Sequence, residues 1–388
     1  MIPITRLSVG EEEAQAAAEA VKSGWLTQGA RGQKFEQAVA QFVGAKHAVA
    51  TNSCTTALHL ALVAAGVKPG DEVICPSFSF IATANAVVYA GATPVFVDID
   101  PRTYNIDSSL IEAAITPRTT AILPVSQIGL AADIPAVRAI AARYGLKVVE
   151  DAAPSLGATL DGRPLGSLSD LTCFSFDARK ILTTGEGGMV TTDDDEAAAT
   201  LRALRAHAAS ITAEARHAAN GVVIESYPEV GFNYKLTDVQ AAVGIVQMTR
   251  LEAIVAERRR LARRYEELLG DEPRIELPFE PPGYQHVYQS YNVRLQKGLS
   301  QRGVMGALAA AGVSSRRIMA IHLEPVYRRR YPTLSLPETE EATRQTLLLP
   351  MFVGLTDDEQ DQVAAALRDV LDTVAPRAVR QAEYSSAS

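Results

Sequence analysis

The sequence predicts an α/β protein in which a mostly parallel seven-stranded sheet is covered by helices and a smaller α+β domain follows. Seven short apolar runs lie between residues 47 and 192, and stretches of helix length separate the first five. Strand–helix–strand alternation is typical of a parallel sheet with both faces covered. With 388 residues the chain is also longer than one ordinary core requires, which favours two domains.

The seven predicted strands are bounded by turn residues and by helical segments with apolar positions every three or four residues. They cover residues 47–52, 71–77, 93–100, 119–125, 146–152, 170–176 and 187–192. The last strands follow each other closely, so an antiparallel or irregular edge is compatible with the pattern there.

The C-terminal part of the chain begins with a long helical pattern over residues 236–269. Five arginines lie on it, and we interpret them as a solvated helix face rather than a nucleic-acid patch; they are Arg258, Arg259, Arg260, Arg263 and Arg264. We place a large domain at residues 1–250 and a small domain at 251–388. The last residues, 378–388, are expected to be a disordered tail.

The composition excludes several classes of function. A net charge of −8 argues against nucleic acid or an anionic membrane as partner, and no apolar run is long enough to span a bilayer. The three cysteines are too few for a disulfide framework, and we expect a cytoplasmic protein without a signal segment. None of the six histidines has a metal-ligand spacing, so no metal is expected.

Polar residues follow several of the predicted strands, where ligands of open α/β sheets bind. Ser53 and Thr55 lie in a turn that opens a helix, which suits an anion but also fits simple helix capping. Asp151 ends an apolar strand; it is either a helix cap or a buried carboxylate that needs a cation. Ser175 lies on the strand that leads to Lys180.

Lys180 is one of only eight lysines in the chain and follows a strand at the expected ligand edge. It is either a surface charge or a partly desolvated amine that can act as a nucleophile. The glycines of "TGEGG" after it would let the backbone pass close to a bulky ligand. Phe80 could stack on a flat ring, and a core position is equally compatible with its place in the sequence.

These residues together meet the needs of one cofactor, pyridoxal 5′-phosphate (PLP). An anion site can hold its phosphate, a carboxylate its pyridine nitrogen, an aromatic side chain its ring, and a lysine its aldehyde. Each feature alone is weak, and their ordered combination carries the hypothesis.

The motifs that carry these residues resemble those of a known family. They include "GDEVICPSFSFIATANAV", "VVEDAAPSLGA", "FSFDARKILTTGEGGMVTT" and "GFNYKLTDVQAAVGIVQM". In order and spacing the chain is similar, over nearly its whole length, to the DegT/DnrJ/EryC1/StrS aminotransferases, also called sugar aminotransferases. The resemblance implies a fold-type I PLP enzyme.

The resemblance assigns a role to each candidate residue. Lys180 matches the Schiff-base lysine and catalytic base, and Asp151 matches the carboxylate on the pyridine nitrogen. The remaining cofactor contacts that it implies are the phosphate ligands Cys54, Thr55 and Ser175, the stacking residue Phe80, and Asn233, which reaches the phosphate of the partner subunit. A homodimer with shared active sites follows from the last of these roles.

The family's reaction implies transfer of an amino group from L-glutamate to a nucleotide-linked keto sugar, giving an amino sugar. Trp25, Lys235 and His322 are expected on the substrate side, although Trp25 would serve equally well as an anchor for the N-terminal segment. Alternatives are a glutamine:keto-inositol aminotransferase, an aminohydroxybenzoate synthase-like enzyme or, less favoured, a regulatory protein without turnover. Lys180 argues against the dehydratase branch, whose members carry histidine at that position.

Two positions depart from the family's usual pattern. Pro154 stands where many members have Gln or His, and Ser126 stands where many have His. A third residue, Glu186, has a role that its position leaves open between substrate and a neighbouring amide.

Overall fold

The computed structural model describes residues 1–211, 213–219 and 221–374. The predicted tail, 378–388, lies outside the described residues. The strands are β1 His47–Thr51, β2 Glu72–Pro76, β3 Thr93–Val97, β4 Thr119–Ile122, β5 Lys147–Asp151, β6 Thr159–Leu160, β7 Arg163–Pro164, β8 Leu171–Ser175, β9 Gly188–Thr192, β10 Ile275–Glu276, β11 Tyr284–Gln285, β12 Tyr291–Leu295 and β13 Thr346–Leu349.

Thirteen α-helices are found in the described ranges. They are α1 Glu11–Lys22, α2 Ala30–Val43, α3 Cys54–Ala64, α4 Ala82–Tyr89, α5 Ile134–Tyr144, α6 Asp195–Leu204, α7 Ala213–Ala218, α8 Asp238–Thr249, α9 Leu251–Leu269, α10 Gln301–Ala310, α11 Pro325–Arg328, α12 Pro337–Gln345 and α13 Asp357–Thr373.

The central sheet has seven strands in the order β1-β9-β8-β5-β4-β2-β3. Strands β3, β2, β4, β5 and β8 run parallel, and β9 is antiparallel to both β1 and β8. The predicted mostly parallel sheet with an antiparallel edge is therefore confirmed. The carboxyl ends of the parallel strands all lie on one edge of the sheet.

Both faces of this sheet are covered by helices, as its apolar strands require. Residues of α3, α4 and α6 form one core with alternate strand residues, and residues of α2 and α8 form another on the opposite face. Strands β2, β8 and β9 are buried along their whole length. Burial on both faces explains why these strands are continuous apolar runs in the sequence.

A three-stranded antiparallel sheet, β10-β12-β13, forms the centre of the smaller α+β part. It packs against α9, α10 and α13 around Leu261, Tyr265 and Leu367, and Ile2 from the N-terminus joins the same core. The N-terminal half of α9 belongs instead to a core of the large sheet. The domain boundary at residue 250 stays a prediction.

The long helical pattern over 236–269 is two helices rather than one. Helices α8 and α9 meet at Arg250 and are bent by 61°. The α-helical hydrogen-bond pattern is interrupted there, since the Arg250 amide donates to the Gln247 carbonyl, three residues back, at 3.1 Å. The Arg250 side chain binds Glu13 and the Ser8 carbonyl. Among the described residues no single helix is long and apolar enough to cross a membrane. Only the bent pair of α8 and α9, taken together, has the length and composition of a membrane span.

Arg258 was wrongly predicted to lie on a solvated helix face. The structure buries it, and its Nη1 donates to the carbonyls of Tyr288 at 2.9 Å and Gln289 at 3.1 Å. Helix α9 crosses between the large and small sheets, so one of its charged positions faces inward, where loop carbonyls need a donor.

Candidate active site

The turn between β1 and α3 presents two backbone amides at the ligand edge of the sheet. Ser53 caps α3, with its Oγ accepting from the Thr56 amide at 3.2 Å and its carbonyl accepting from the Ala57 amide at 3.0 Å. In the described part of the chain no group accepts from the amides of Cys54 and Thr55. Free amides at the positive end of a helix form an anion site.

Gly188, the first residue of β9, fixes the back of this turn. A Cβ atom on Gly188 would lie 2.5 Å from the Ser53 carbonyl oxygen and 2.7 Å from the Cys54 nitrogen. We expected the glycines of "TGEGG" to let the backbone approach a ligand. At Gly188 the close approach is instead to the backbone of the anion site, which it supports from behind.

Asp151 ends β5 as a buried carboxylate, with 4% of its surface exposed. Its Oδ2 accepts from Thr83 Oγ1 at 2.8 Å, and its Oδ1 accepts from the Ala153 amide at 3.1 Å. Both donors are neutral, and none of the described basic side chains forms an ion pair with it. Burial raises the pKa of Asp151, whereas these hydrogen bonds and the charge of Lys180 lower it.

Lys180 lies in the turn after β8, half-buried, with its amide donating to the Asp177 carbonyl at 3.0 Å. Lys180 lines the same cavity as Asp151 and Cys54, and its charge lowers the pKa of both groups. Within the described residues its Nζ has no hydrogen-bond partner. The amine is therefore available to a ligand.

One cavity of about 480 Å³ joins these groups at the carboxyl ends of the strands. Six of the predicted site residues line it: Cys54, Thr55, Phe80, Asp151, Ser175 and Lys180. Phe80 is 62% exposed, so its ring is open to the cavity rather than part of the core. The opposite wall comes from the small domain, including Arg316 and Met351. Cavities of this size are typical of small-molecule sites.

Several residues of the cavity were given no role from the sequence, although Ser79 and Arg179 lie in the segments that follow predicted strands at the ligand edge. Ser79 and Thr83 lie behind Asp151, and Arg179, Arg316 and Arg317 bring positive charge to the walls. Only their place after β2 distinguished the two hydroxyl residues in the sequence. The adjacent Arg316 and Arg317 could have been recognised as two neighbouring positive charges in the C-terminal part of the chain.

The structure partly answers the open question about Glu186. Its carbonyl accepts from Thr184 Oγ1 at 2.7 Å and from Gln240 Nε2 at 2.7 Å. The residue is exposed and lines the cavity. Its carbonyl thus has a structural role, and among the described residues its carboxylate has no hydrogen-bond or ion-pair partner, so it is available to a ligand.

The structure does not bring four of the predicted site residues to this cavity. Asn233 is exposed on a segment that pairs with Ala206, and Lys235 lines a second cavity beside Gln28. Trp25 Nε1 donates to the Gln28 carbonyl at 3.1 Å, which matches the alternative role as an anchor.

The expected substrate contact from His322 is not supported. Its side chain is 1% exposed, and its Nδ1 lies 2.7 Å from Ser77 Oγ. On the other side its Nε2 lies 3.6 Å from Glu340. Helix α12 packs over this histidine, and His322 is not among the residues that line the cavity, so the substrate contact stays a prediction.

The two departures from the family's pattern lie beside the cavity rather than in it. Ser126 Oγ donates to the buried Glu150 at 2.6 Å and accepts from the Ala132 amide at 3.0 Å. Pro154 is buried and does not line the cavity. Neither position therefore places a side chain against a ligand.

The cavity fits PLP by its donor set. The Cys54 and Thr55 amides suit a phosphate, and burial without an ion pair among the described residues leaves Asp151 in need of a positively charged partner such as a protonated ring nitrogen. Phe80 offers an exposed ring, and Lys180 a free amine.

Among the described residues no group of three His, Cys, Asp or Glu side chains could hold a metal ion.

Comparison with known proteins agrees with this geometry. The DegT/DnrJ/EryC1/StrS aminotransferase family matches residues 7–368. The GDP-perosamine synthase of Caulobacter vibrioides is 45% identical over 342 residues, 87% of this chain and 89% of that protein.

Two solved structures extend the comparison. DesV of S. venezuelae, in complex with a ketimine intermediate, has a TM-score of 0.89 and 35% identity over 96% of this chain and 99% of its own. Spr1654 of Streptococcus pneumoniae, in its PLP form, has a TM-score of 0.89 and 27% identity over 96% of this chain and 98% of its own. The chain therefore belongs to the DegT/DnrJ/EryC1/StrS aminotransferase family and is a PLP-dependent aminotransferase.

Proposed function

We propose that the enzyme transfers an amino group from L-glutamate to a keto sugar linked to a nucleoside diphosphate. The observation that carries the proposal is the single cavity that holds Lys180, Asp151 and the anion site, with cationic walls beyond them. The similarity of the chain to a GDP-perosamine synthase supports a sugar as the acceptor.

The residues that would hold PLP are those at the strand ends. The Cys54 and Thr55 amides and the Ser175 hydroxyl take the phosphate, Asp151 takes the ring nitrogen, and Phe80 covers the ring. Burial raises the pKa of the Cys54 thiol, so this side chain stays neutral beside the phosphate. When bound, PLP supplies an electron sink for the bond broken at the amino-bearing carbon.

Lys180 moves the proton in this proposal. Its Nζ, which lacks a partner among the described residues, would take the proton from the α-carbon of the donor and return it to the carbon on the other side of the amino nitrogen. Asp151 would keep its charge because a protonated ring nitrogen would supply the ion-pair partner that the described residues do not provide.

The cationic walls favour anionic substrates. Arg316 is exposed and has no ion pair within the described residues, while Arg317 lies 4.0 Å from Glu324 and Arg179 lies 3.4 Å from Asp177. Weakly paired guanidinium groups suit the carboxylates of glutamate and a diphosphate. A neutral keto-inositol has no anionic group for these arginines to bind.

A homodimer with shared sites belongs to the same proposal. Asn233 is exposed and lies away from the cavity of its own subunit, as expected of a residue that serves a partner. The preceding segment exposes three large apolar side chains, Val222, Ile224 and Val230. Exposed large apolar side chains grouped within one segment are compatible with an interaction surface.

A substrate panel tests the proposed function. The purified enzyme is incubated with L-glutamate or L-glutamine and with GDP- or TDP-linked keto sugars or a keto-inositol, and products are identified by mass. We expect amination of a nucleotide-linked keto sugar with glutamate, and none with Lys180→Ala. Amination of the keto-inositol alone, with glutamine, would overturn the proposal.

A further inference from the structure

Two hydroxyl groups form a hydrogen-bonded chain behind Asp151. Thr83, in the first turn of α4, is 0% exposed, and its Oγ1 lies 2.8 Å from Asp151 Oδ2. Ser79 Oγ lies 2.8 Å from Thr83 Oγ1 on the other side and is also buried. Both residues border the cavity that holds Asp151 and Lys180.

The direction of this chain follows from counting protons. An ionised carboxylate can only accept, so Thr83 must give its single hydroxyl proton to Asp151. Thr83 Oγ1 then accepts from Ser79, whose hydroxyl supplies the next proton. Hydrogen bonds in such a chain polarise one another, which strengthens the final bond to the carboxylate.

We propose that Thr83 is a positioning residue that, supported by Ser79, keeps Asp151 ionised and oriented toward the ring nitrogen of the cofactor. The inference rests on the proposed role of Asp151. The carboxylate lies in a buried site whose neutral donors are the Thr83 hydroxyl and the Ala153 amide. A hydrogen bond to a charged group is stronger than one between neutral groups, so Thr83 has a large share in holding the charge.

Other titratable groups interact with Asp151, and their charges favour or oppose its ionised form. Lys180 favours the ionised form by its charge. Among the described residues, the acidic groups whose charge couples to that of Asp151 are Cys54 from α3, Cys173 from β8 and Glu150, its neighbour on β5. Ionisation of any of these three would add a negative charge and oppose that of Asp151.

Thr83→Val tests the inference, because valine keeps the shape and removes the hydroxyl. The dissociation constant of PLP is measured across pH for the wild type, Thr83→Val, Thr83→Ser and Ser79→Ala. All four proteins keep the same phosphate-binding turn and the same lysine, so a difference between them in the pH dependence of PLP binding is assigned to the Asp151 carboxylate. We expect the acid limit of binding to move up by roughly one to two pH units in Thr83→Val.

The companion variants separate positioning from packing. Thr83→Ser should keep the acid limit of the wild type, and Ser79→Ala should move it in the same direction as Thr83→Val but less. Thr339→Val is the matched control, since this buried threonine donates to Asp98 at 2.7 Å away from the cavity. It should leave the limit in place.

An unchanged acid limit in Thr83→Val would overturn the inference, and so would a Thr83→Ser protein that binds like Thr83→Val. If Thr83→Val does not fold, Ser79→Ala and Thr83→Ser decide by the same limit. Asp151→Asn in the same series distinguishes the two levels. Normal PLP binding in that variant would remove the proposed role of Asp151 itself, whereas lost binding there with an unchanged Thr83→Val removes only the role of Thr83.

Discussion

Asp151 is a carboxylate placed where the folded protein alone does not favour its charge. Burial raises its pKa, and its hydrogen-bond donors are neutral. The cofactor's ring nitrogen would supply the missing positive charge. The ionised Asp151 therefore lowers the stability of the cofactor-free protein while it serves the reaction, a combination that is common at catalytic sites.

This loss of stability predicts how Asp151→Asn changes the stability of the cofactor-free protein. Since the folded pKa is raised, the folded protein holds its proton more tightly than the unfolded chain. The cofactor-free wild type thus loses stability as pH rises from the pKa of an unfolded aspartate, about 3.9, through the folded value, and the loss is complete above it. Asparagine cannot ionise, so the cofactor-free variant should unfold at a higher temperature at neutral pH.

The same variant should lose at least about a hundredfold in transamination rate, because a preorganised charge at the reacting ring is removed. Thermal unfolding across pH and steady-state rates check the two effects. A cofactor-free Asp151→Asn protein that is less stable than the wild type at neutral pH would contradict this explanation.

The sequence was informative for residues whose role depends on position along one strand. Lys180, Asp151 and Ser175 lie at ends of apolar runs, so their place at the ligand edge could be predicted. Thr83 could not, because its contact with Asp151 joins residues 68 positions apart through the packing of α4. The burial of His322 was equally out of reach of the local pattern, since Glu340, which lies 3.6 Å from it, comes from α12, elsewhere in the fold.

At the scale of elements, the anion site depends on how β9 packs against the β1–α3 turn. Gly188 leaves no room for a side chain there. Gly188→Ala should push the turn away and cost roughly 1–3 kcal/mol of stability, as overpacking does in a close-packed interior. PLP affinity should fall about tenfold or more, because a shift of 1.4 kcal/mol in binding is a factor of ten.

Gly306→Ala provides the matched control for this prediction. Gly306 lies in α10, and an added Cβ would meet open space. This variant should keep its PLP affinity and gain slightly in stability, since alanine favours the helix. Equal PLP affinity in Gly188→Ala and the wild type, measured by titration, would show that the turn does not depend on this contact.

The strands were predictable and the helix break was not. Apolar runs bounded by turns placed all seven strands of the large sheet within a few residues, because burial on both faces leaves an unbroken signal. The apolar stripe of α8 and α9 is also continuous, yet the chain turns at Arg250. The turn is held by contacts to Ser8 and Glu13 at the N-terminus, which the local pattern does not contain.

For the whole molecule, the proposed shared site predicts complementation between two defective proteins. Lys180→Ala lacks its own amine but can supply Asn233, and Asn233→Ala has the opposite defect. A hybrid dimer then has one intact site. Random mixing makes half the dimers hybrids, so co-expression should restore about a quarter of wild-type activity if the dimer has two-fold symmetry.

Each variant expressed alone serves as the control for this experiment. Activity of the mixed sample is compared with the sum of the two separate samples at equal total protein. A mixture no more active than that sum would mean that Asn233 acts within its own subunit or not at all. The sequence could suggest this arrangement only by resemblance, because a contact between subunits leaves no periodic signal along one chain.

The central claim is that Lys180 carries the cofactor, and one measurement tests it most directly. The enzyme loaded with PLP is reduced with sodium borohydride, digested and mapped by mass spectrometry. We predict a pyridoxyl group on Lys180, within the segment Phe174–Val190, and on no other lysine. An adduct on a different lysine, or a reduced protein without any adduct, would contradict the claim.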